Sequence, residues 1–226
     1  MIKAIIFDLD NTLIDFLTMK KMAVSGAINA MRDAGLDVSH TQADKIMFDL
    51  YEKHGMEYQR VFQDFLRLVT GKVDPKILAN AIVGYRKVEQ GFMKPYPKVK
   101  WTLIKLKEKG IKLAILTDAP RMRAWMRLAE TELSDFFDVV VTFDDTKVLK
   151  PHRKPFLMML QKLKMKPSEV LMVGDSLDKD VFGGNRLGIK TCHSRYGYLR
   201  MDKKKNINPN FTLHRIDELL DIVERS

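Results

Sequence analysis

The sequence has little that could cross-link the chain or hold it in a membrane. A single cysteine, Cys192, occurs among 226 residues, so a disulfide framework is excluded. Its apolar neighbours in segment 189–193 favour a buried structural thiol over a catalytic one. No run approaches the ~20 apolar residues that a membrane-spanning helix needs. The chain begins with strand-like residues 2–7, not with a basic segment and a cleavage site, and we therefore expect a cytoplasmic protein.

Motifs for nucleotide cofactors and for zinc are also missing. There is no Gly-rich dinucleotide motif and no Walker-type phosphate loop. The histidines are scattered without the spacing of a zinc site, which favours surface or structural roles for all of them: His40, His54, His152, His193 and His214.

The charge balance is basic, with 39 Lys and Arg against 29 Asp and Glu and a formal net charge of +10. Such an excess can serve nucleic-acid binding. Here the basic residues are spread along the chain, and only 203–205 form a run, which we expect to be a solvated loop. We expect no nucleic-acid partner. A basic surface would instead help to attract phosphorylated, anionic substrates.

Helix and strand patterns alternate through most of the sequence. An apolar run over 1–10 ends in acidic residues, as expected for a strand in a parallel sheet that helices cover on both faces. Further strands are predicted at 112–116, 139–142, 170–173 and 190–193. Helices are predicted before and between them, from Lys98 to Gly110, at 121–132, after Pro155 and at 181–187. This order predicts an α/β fold with a doubly wound parallel sheet.

The segment from about Phe16 to Gly91 shows only helical patterns. We predict four helices, of which the first ends near Gly35, the second follows the capping region 39–41, and the third ends at Gly71. Asp74 as N-cap and Pro75 at the first helical position mark the fourth. Segment 95–97, Pro-Tyr-Pro, indicates a stiff linker. We therefore predict a core domain over 1–15 and 94–226, with an inserted four-helix cap domain over 16–93.

Four polar clusters follow predicted strands, and in a parallel sheet such residues meet at one edge. They are Asp8 with Asp10, Thr117, Lys150, and Asp175 with Asp180. If the first strand stayed regular beyond its end, Asp8 and Asp10 would point the same way. Their mutual repulsion would be offset by a hard divalent cation such as Mg²⁺.

The other clusters would complete such a site. We expect Asp175 to be the third metal ligand. Asp180 could bind the metal through water or orient Asp175, and Asp178 could be a helix cap or a ligand, but we rank Asp180 above Asp178. Thr117 and Lys150 would supply a hydroxyl and an ammonium to a phosphoryl group.

In their order along the chain, these motifs resemble those of the haloacid dehalogenase superfamily. The matching residues are Asp8-Leu-Asp-Asn-Thr-Leu13, Thr117, Lys150-Pro151 and Gly174-Asp175 followed by Asp180. The resemblance covers essentially the whole chain and is greatest to capped phosphatases of the phosphoglycolate phosphatase and archaeal glyceraldehyde 3-phosphate phosphatase type. A strand-end Asp alone is often only a helix cap, and Thr117 alone could be a turn residue, but their joint occurrence favours a site.

The resemblance implies specific roles. Asp8 would be the nucleophile that forms an aspartyl-phosphate, and Asp10 the general acid and base. Mg²⁺ would be held by Asp8, the backbone carbonyl of Asp10 and Asp175, with support from Asp180. Phosphate contacts would come from the residues Thr117, Asp118 and Lys150. Asn11, and Asp118-Ala119-Pro120 after Thr117, depart from the residues common in the family, which affects the expected loop shape.

The implied function is Mg²⁺-dependent hydrolysis of a small phosphomonoester of the sugar or triose phosphate class. Alternatives are a phosphomutase of the same family, and a basic nucleic-acid-binding protein that keeps the fold without catalysis. In capped members of the family, cap residues set the specificity. We expect a phosphorylated metabolite as partner, no membrane association, and a monomer or homodimer.

Overall fold

The computed structural model describes residues 1–197 and 206–225. Within them the chain forms one sheet of parallel strands in the order β3-β2-β1-β4-β5-β6. The strands are β1 (Ala4–Phe7), β2 (Lys112–Leu116), β3 (Val139–Val141), β4 (Val170–Gly174), β5 (Lys190–Ser194) and β6 (Phe211–Leu213). The predicted α/β fold with a parallel sheet is confirmed.

The helices of the described residues precede, connect and follow these strands. They are α1 (Phe16–Asp33), α2 (His40–His54), α3 (Val61–Thr70), α4 (Pro75–Phe92), α5 (Val99–Glu108), α6 (Arg121–Glu130), α7 (Phe143–Thr146), α8 (Arg153–Leu163), α9 (Phe182–Asn185) and α10 (Leu219–Glu224). The parallel strands require such crossover connections, because a parallel neighbour cannot be reached through a tight turn.

Strand β1 lies at the centre of the sheet, between β2 and β4. Phe7, its last residue, is in register with Ile115 of β2 and Val173 of β4. All four residues of β1 are buried, which explains its continuous apolar sequence. The loops that follow these three strands therefore begin at the same edge of the sheet.

Some elements differ from the predictions. Helix α8 begins at Arg153, before Pro155, because His152 caps it: Nδ1 of His152 accepts the backbone N–H of Lys154 at 3.1 Å. A proline is tolerated in the first turn because its missing N–H has no helical partner there. The predicted helix 181–187 is a wide turn over Leu177–Val181 followed by the short α9.

Two compact units divide the described residues. The first comprises residues 1–15, 94–197 and 206–225 and contains the sheet. The second is Phe16–Met93 and contains α1 to α4. We call them the sheet unit and the helical unit.

The helical unit has the caps that its sequence predicts. The side chain of Ser39 accepts the N–H of Gln42, and that of Asp74 accepts the N–H groups of Lys76 and Ile77. Gly71 ends α3 in the left-handed conformation, with φ of 76°.

Close contact between α1 and α4 involves two glycines. A Cβ atom at Gly84 of α4 would lie 2.7 Å from the backbone oxygen of Gly26 in α1, and one at Gly26 would lie 2.6 Å from a methyl carbon of Val88. A side chain at Gly84 would push against the backbone of α1, so this glycine is needed for the packing, whereas at Gly26 the methyl group of Val88 would have to shift.

No helix among the described residues is long and apolar enough to span a membrane. The lysine run 203–205, expected to be a solvated loop, lies outside the described residues.

Candidate active site

Three polar loops leave the sheet at the edge where β1, β2 and β4 end. Asp8 follows β1, Thr117 follows β2, and Asp175 follows β4. The Asp8 N–H donates to the carbonyl of Val173 at 2.9 Å, so the chain remains attached to β4 for one residue beyond the strand. Asp8 and Asp175 are thereby brought together, as their positions after strands predict.

Lys150 connects the loops through a buried ammonium group. Its Nζ donates to Oδ1 of Asp8 at 2.7 Å, to Oδ1 of Asp180 at 2.7 Å, and to the carbonyl oxygen of Leu116 at 3.0 Å. The residue is only 4% exposed. A buried ammonium is tolerated only when it is paired and hydrogen-bonded, and these three acceptors satisfy its three donors.

Three carboxylates face one another around this ammonium. Ligand oxygens of Asp8, Asp175 and Asp180 all lie within 4.8 Å of one another. This group includes Asp180 and not Asp178, and the sequence analysis likewise ranks Asp180 above Asp178. Since three carboxylates oppose one ammonium, the fully ionised group has an excess of negative charge. Its oxygen ligands and their charge fit a hard divalent cation.

The pKa values reflect this crowding. Burial raises the pKa of Asp175 well above its usual range, and the charges of Asp8 and Asp180 add to the shift. Burial likewise raises the pKa of Asp180 to about 7, although Lys150 opposes the shift. Burial alone would lower the pKa of Lys150, but the charges of Asp180 and Asp8 hold it well above its usual value. The group is therefore costly to ionise fully without a further positive charge.

Gly174 allows Asp180 to reach the group. A Cβ atom at Gly174 would lie 2.2 Å from Oδ2 of Asp180, which excludes every other residue at this position unless the carboxylate moves. Oδ2 of Asp180 also accepts the N–H of Ser176 at 3.2 Å. The wide turn that begins at Leu177 thus folds Asp180 back onto the end of β4.

The loop after β2 holds the backbone of Lys150 in place. Oδ1 of Asp118 accepts the backbone N–H of Lys150 at 2.8 Å, and Oδ2 of Asp118 lies 3.3 Å from Nζ of Lys179. Thr117 is buried, and its Oγ1 accepts the N–H of Ala119 at 3.1 Å. Asp118 therefore positions the loop that carries the site lysine.

Asp10 lies in different surroundings from Asp8. The regular strand ends at Phe7, and the chain then turns: the N–H of Leu13 donates to the carbonyl of Leu9, and Asn11 has a left-handed φ of 59°. Oδ2 of Asp10 accepts a hydrogen bond from Nη1 of Arg127 at 2.6 Å.

Two residues beside the site were not anticipated from the sequence. Arg127 is on α6, and its only sequence signal is its position on the buried face of that helix, next to Leu128. The ring Nε2 of His193, on β5, lies 3.0 Å from the carbonyl oxygen of Asp175. Nothing in the sequence near His193 distinguishes it from the other scattered histidines.

Comparison with known proteins identifies the family. Residues 5–193 match the model of the haloacid dehalogenase-like hydrolases, and the chain belongs to this family. The glyceraldehyde 3-phosphate phosphatase of Methanocaldococcus jannaschii is 34% identical over 99% of this chain and 98% of its own. That of Methanopyrus kandleri is 36% identical over 99% and 97%.

A solved structure gives the same relationship. The HAD phosphatase from Thermococcus onnurineus superposes with a TM-score of 0.70 at 25% identity, covering 98% of both chains. The family and fold predicted from the sequence motifs are confirmed, and the relatives' names agree with the predicted enzyme class, a phosphatase.

Proposed function

We propose that this protein is a Mg²⁺-dependent phosphatase that hydrolyses a small phosphomonoester of the sugar or triose phosphate class through a phosphorylated Asp8. The observation that carries the proposal is the Lys150 ammonium, bound to Asp8 and Asp180 within a group of three carboxylates. This arrangement supplies a nucleophile, a cation for the phosphoryl oxygens and a set of oxygen ligands for a metal in one place.

In the first step a carboxylate oxygen of Asp8 attacks phosphorus and the bond from phosphorus to the ester oxygen breaks. The leaving oxygen takes a proton from Asp10 and departs as the alcohol. In the second step water attacks the phosphorus of the aspartyl-phosphate and gives a proton to Asp10. Inorganic phosphate leaves, and both carboxyl groups return to their starting states.

The metal ligands in this proposal are Asp8, Asp175 and the backbone carbonyl of Asp10, with Asp180 in support. Mg²⁺ bound there would neutralise negative charge on the carboxylates and on the phosphoryl oxygens. The Lys150 ammonium, whose three N–H groups already have protein acceptors, would attract phosphoryl oxygens through its charge, and the Thr117 hydroxyl would donate to one of them. Since the Asp118 carboxylate repels phosphate, a contact from Asp118 would have to come through its main-chain N–H.

The substrate class follows from the relatives. Two relatives that match nearly the full chain, at 34% and 36% identity, are named for glyceraldehyde 3-phosphate, and a small, anionic triose phosphate also suits a chain with a net charge of +10. We also propose a cytoplasmic location, which cell fractionation would test. We propose a monomer or homodimer, which light scattering would test.

The test is phosphate release from an aryl phosphate and from a panel of triose, sugar and nucleotide phosphates, with Mg²⁺ or with EDTA. We expect release that needs Mg²⁺ and is greatest for the triose or sugar phosphates. Asp8→Asn should lower it at least about a thousandfold, because the amide cannot form the acyl phosphate. Asp49→Asn, an exposed change on α2, is the matched control.

Three outcomes would contradict the proposal. Release by freshly purified Asp8→Asn at the wild-type rate would overturn the nucleophile. Release unaffected by EDTA would overturn the metal. Conversion of one sugar phosphate into its isomer, without free phosphate, would identify a phosphomutase instead.

A further inference from the structure

Arg127 is a charged residue in a position that the helix pattern reserves for apolar side chains. It lies on the buried face of α6 with Ala124 and Leu128, and its side chain is only 7% exposed. Burying a guanidinium is costly unless it is paired and hydrogen-bonded. The position of Arg127 therefore requires an acceptor in the interior of the sheet unit.

That acceptor includes the carboxylate of Asp10, 117 residues away in the sequence. The distance of 2.6 Å between Nη1 of Arg127 and Oδ2 of Asp10 is that of a strong, charge-assisted hydrogen bond. Arg127 belongs to the helix that follows β2, the strand next to β1, so the sheet itself sets the separation of the two side chains.

Asp10 needs such support because its backbone has left the sheet. The turn over residues 9–14 is closed by its own hydrogen bonds, among them Asn11 N–H to the carbonyl of Ile14 at 2.7 Å. A side chain on a turn has more rotational freedom than one on a strand inside a sheet. A buried arginine that binds one carboxylate oxygen removes that freedom and leaves the exchangeable proton on the other oxygen, Oδ1.

We propose that Arg127 is a positioning residue that fixes the carboxyl group of Asp10 for proton transfer to the leaving alcohol. This inference rests on the proposed function, in which Asp10 is the general acid and base. In this proposal Arg127 acts only through the carboxylate of Asp10 and makes no contact of its own with the substrate. Its effect is to hold Oδ1 of Asp10 at the distance and angle that proton transfer requires, a matter of fractions of an ångström.

The test compares two phosphate esters that differ in their need for an acid. The leaving group of p-nitrophenyl phosphate is a stable phenolate, whereas that of glycerol phosphate is an alkoxide that must be protonated as it leaves. Values of kcat/KM report the steps up to formation of the aspartyl-phosphate, so they isolate the acid role of Asp10 from its later role as base.

We expect Arg127→Met to lower kcat/KM for glycerol phosphate about a hundredfold, which is in the lower part of the range for general acid catalysis. The value of kcat/KM for p-nitrophenyl phosphate should fall less than about threefold. Arg127→Lys should lose about tenfold on the alkyl ester, because it keeps the charge with fewer donors. In the double variant, Arg127→Met should cause no further loss of kcat/KM for glycerol phosphate beyond the loss that Asp10→Asn causes alone. Arg121→Met, at the exposed start of the same helix, should behave as wild type.

An equal loss on both esters, with either Arg127 variant, would overturn the proposal, because a purely structural defect does not depend on the leaving group. A rise in the rate with the alkyl ester would also overturn it. If Arg127→Met does not fold by circular dichroism, Arg127→Lys alone decides between these outcomes. The proposed function fails separately: in that case wild type releases no phosphate, or Asp10→Asn cleaves glycerol phosphate at the wild-type rate.

Discussion

The two units of this protein bury different kinds of side chain. In the helical unit Lys20 is the one buried charged or polar residue among those described, and its ammonium lies over the rings of Tyr51 and Tyr85. All the other buried polar residues of the described chain belong to the sheet unit, and they include Asp8, Lys150 and Asp180. The core of the helical unit therefore serves packing, whereas the core of the sheet unit also contains the residues of the candidate active site.

The difference has an energetic meaning. An apolar core gains free energy with each side chain that it buries, and its residues can be exchanged for others of similar volume. A buried charged group loses free energy on desolvation and recovers it only through specific partners at fixed distances. The stability of the sheet unit should therefore depend strongly on single buried charges. The stability of the helical unit should depend mainly on the volume of its buried side chains.

The largest effect is expected for Lys150→Met. Without the ammonium, Asp8 and Asp180 are buried without their cation, which should lower the free energy of unfolding in EDTA by about 3–5 kcal/mol. Phosphatase activity should fall by about a hundredfold or more, because in the proposed mechanism this charge stabilises the transition state. Urea titration and phosphate release measure the two effects. Lys147→Met, at an exposed lysine paired with Asp144, is the control, and equal stability of the two variants would show that burial of the charge is unimportant.

In the helical unit the comparable effect should come from volume alone. Phe65 is fully buried in the apolar cluster, and Phe65→Ala should lower the free energy of unfolding by about 3–5 kcal/mol. The site residues belong to the sheet unit, so the variant should keep the stabilisation by Mg²⁺. Leu68→Ala, at a side chain of α3 that is 66% exposed, should cost little. A loss of the Mg²⁺ response in Phe65→Ala would break the distinction between the units.

Mg²⁺ should stabilise the protein through the carboxylates of the sheet unit. At about 100 times the dissociation constant we expect a gain of about 2.7 kcal/mol in the free energy of unfolding. Burial and neighbouring charges raise the pKa of Asp175, so protons compete with the metal at a higher pH than for an ordinary Asp, and the gain should shrink as the pH is lowered. Thermal unfolding with and without Mg²⁺ measures it.

Asp175→Asn should abolish this gain, whereas Asp135→Asn, at an exposed position of the same unit, should retain it. A gain that persists in Asp175→Asn would place the metal elsewhere.

The smallest effect is expected for a charge pair on the surface. Lys105 and Glu108 lie 2.7 Å apart on one exposed face of the sheet unit, and Lys105→Ala should change the free energy of unfolding by less than about 1 kcal/mol. Solvent screens such a pair and the free side chains gain entropy. A loss as large as that of Lys150→Met would show that charge matters in this unit regardless of burial.

Much of the fold could be predicted because its signals are local. The caps at Ser39 and Asp74, and the glycine at which α3 ends, are set by neighbouring residues. The central strands are apolar along their whole length because both faces are covered. In contrast, β6 and α10 were not anticipated, since three- and six-residue elements carry too little pattern.

The sequence by itself determined the family, the α/β class with its five predicted strands, and the residues that follow those strands, because each of these depends on residue type and spacing along the chain. Only the tertiary structure decided which atoms of those residues are in contact. Lys150 joins Asp8 to Asp180, Gly174 admits Asp180 to the carboxylates, and Arg127 reaches Asp10 from another helix. Apart from the approach of Asp180 to Gly174, these contacts join segments far apart in the sequence, and their energies depend on distances that no spacing along the chain specifies.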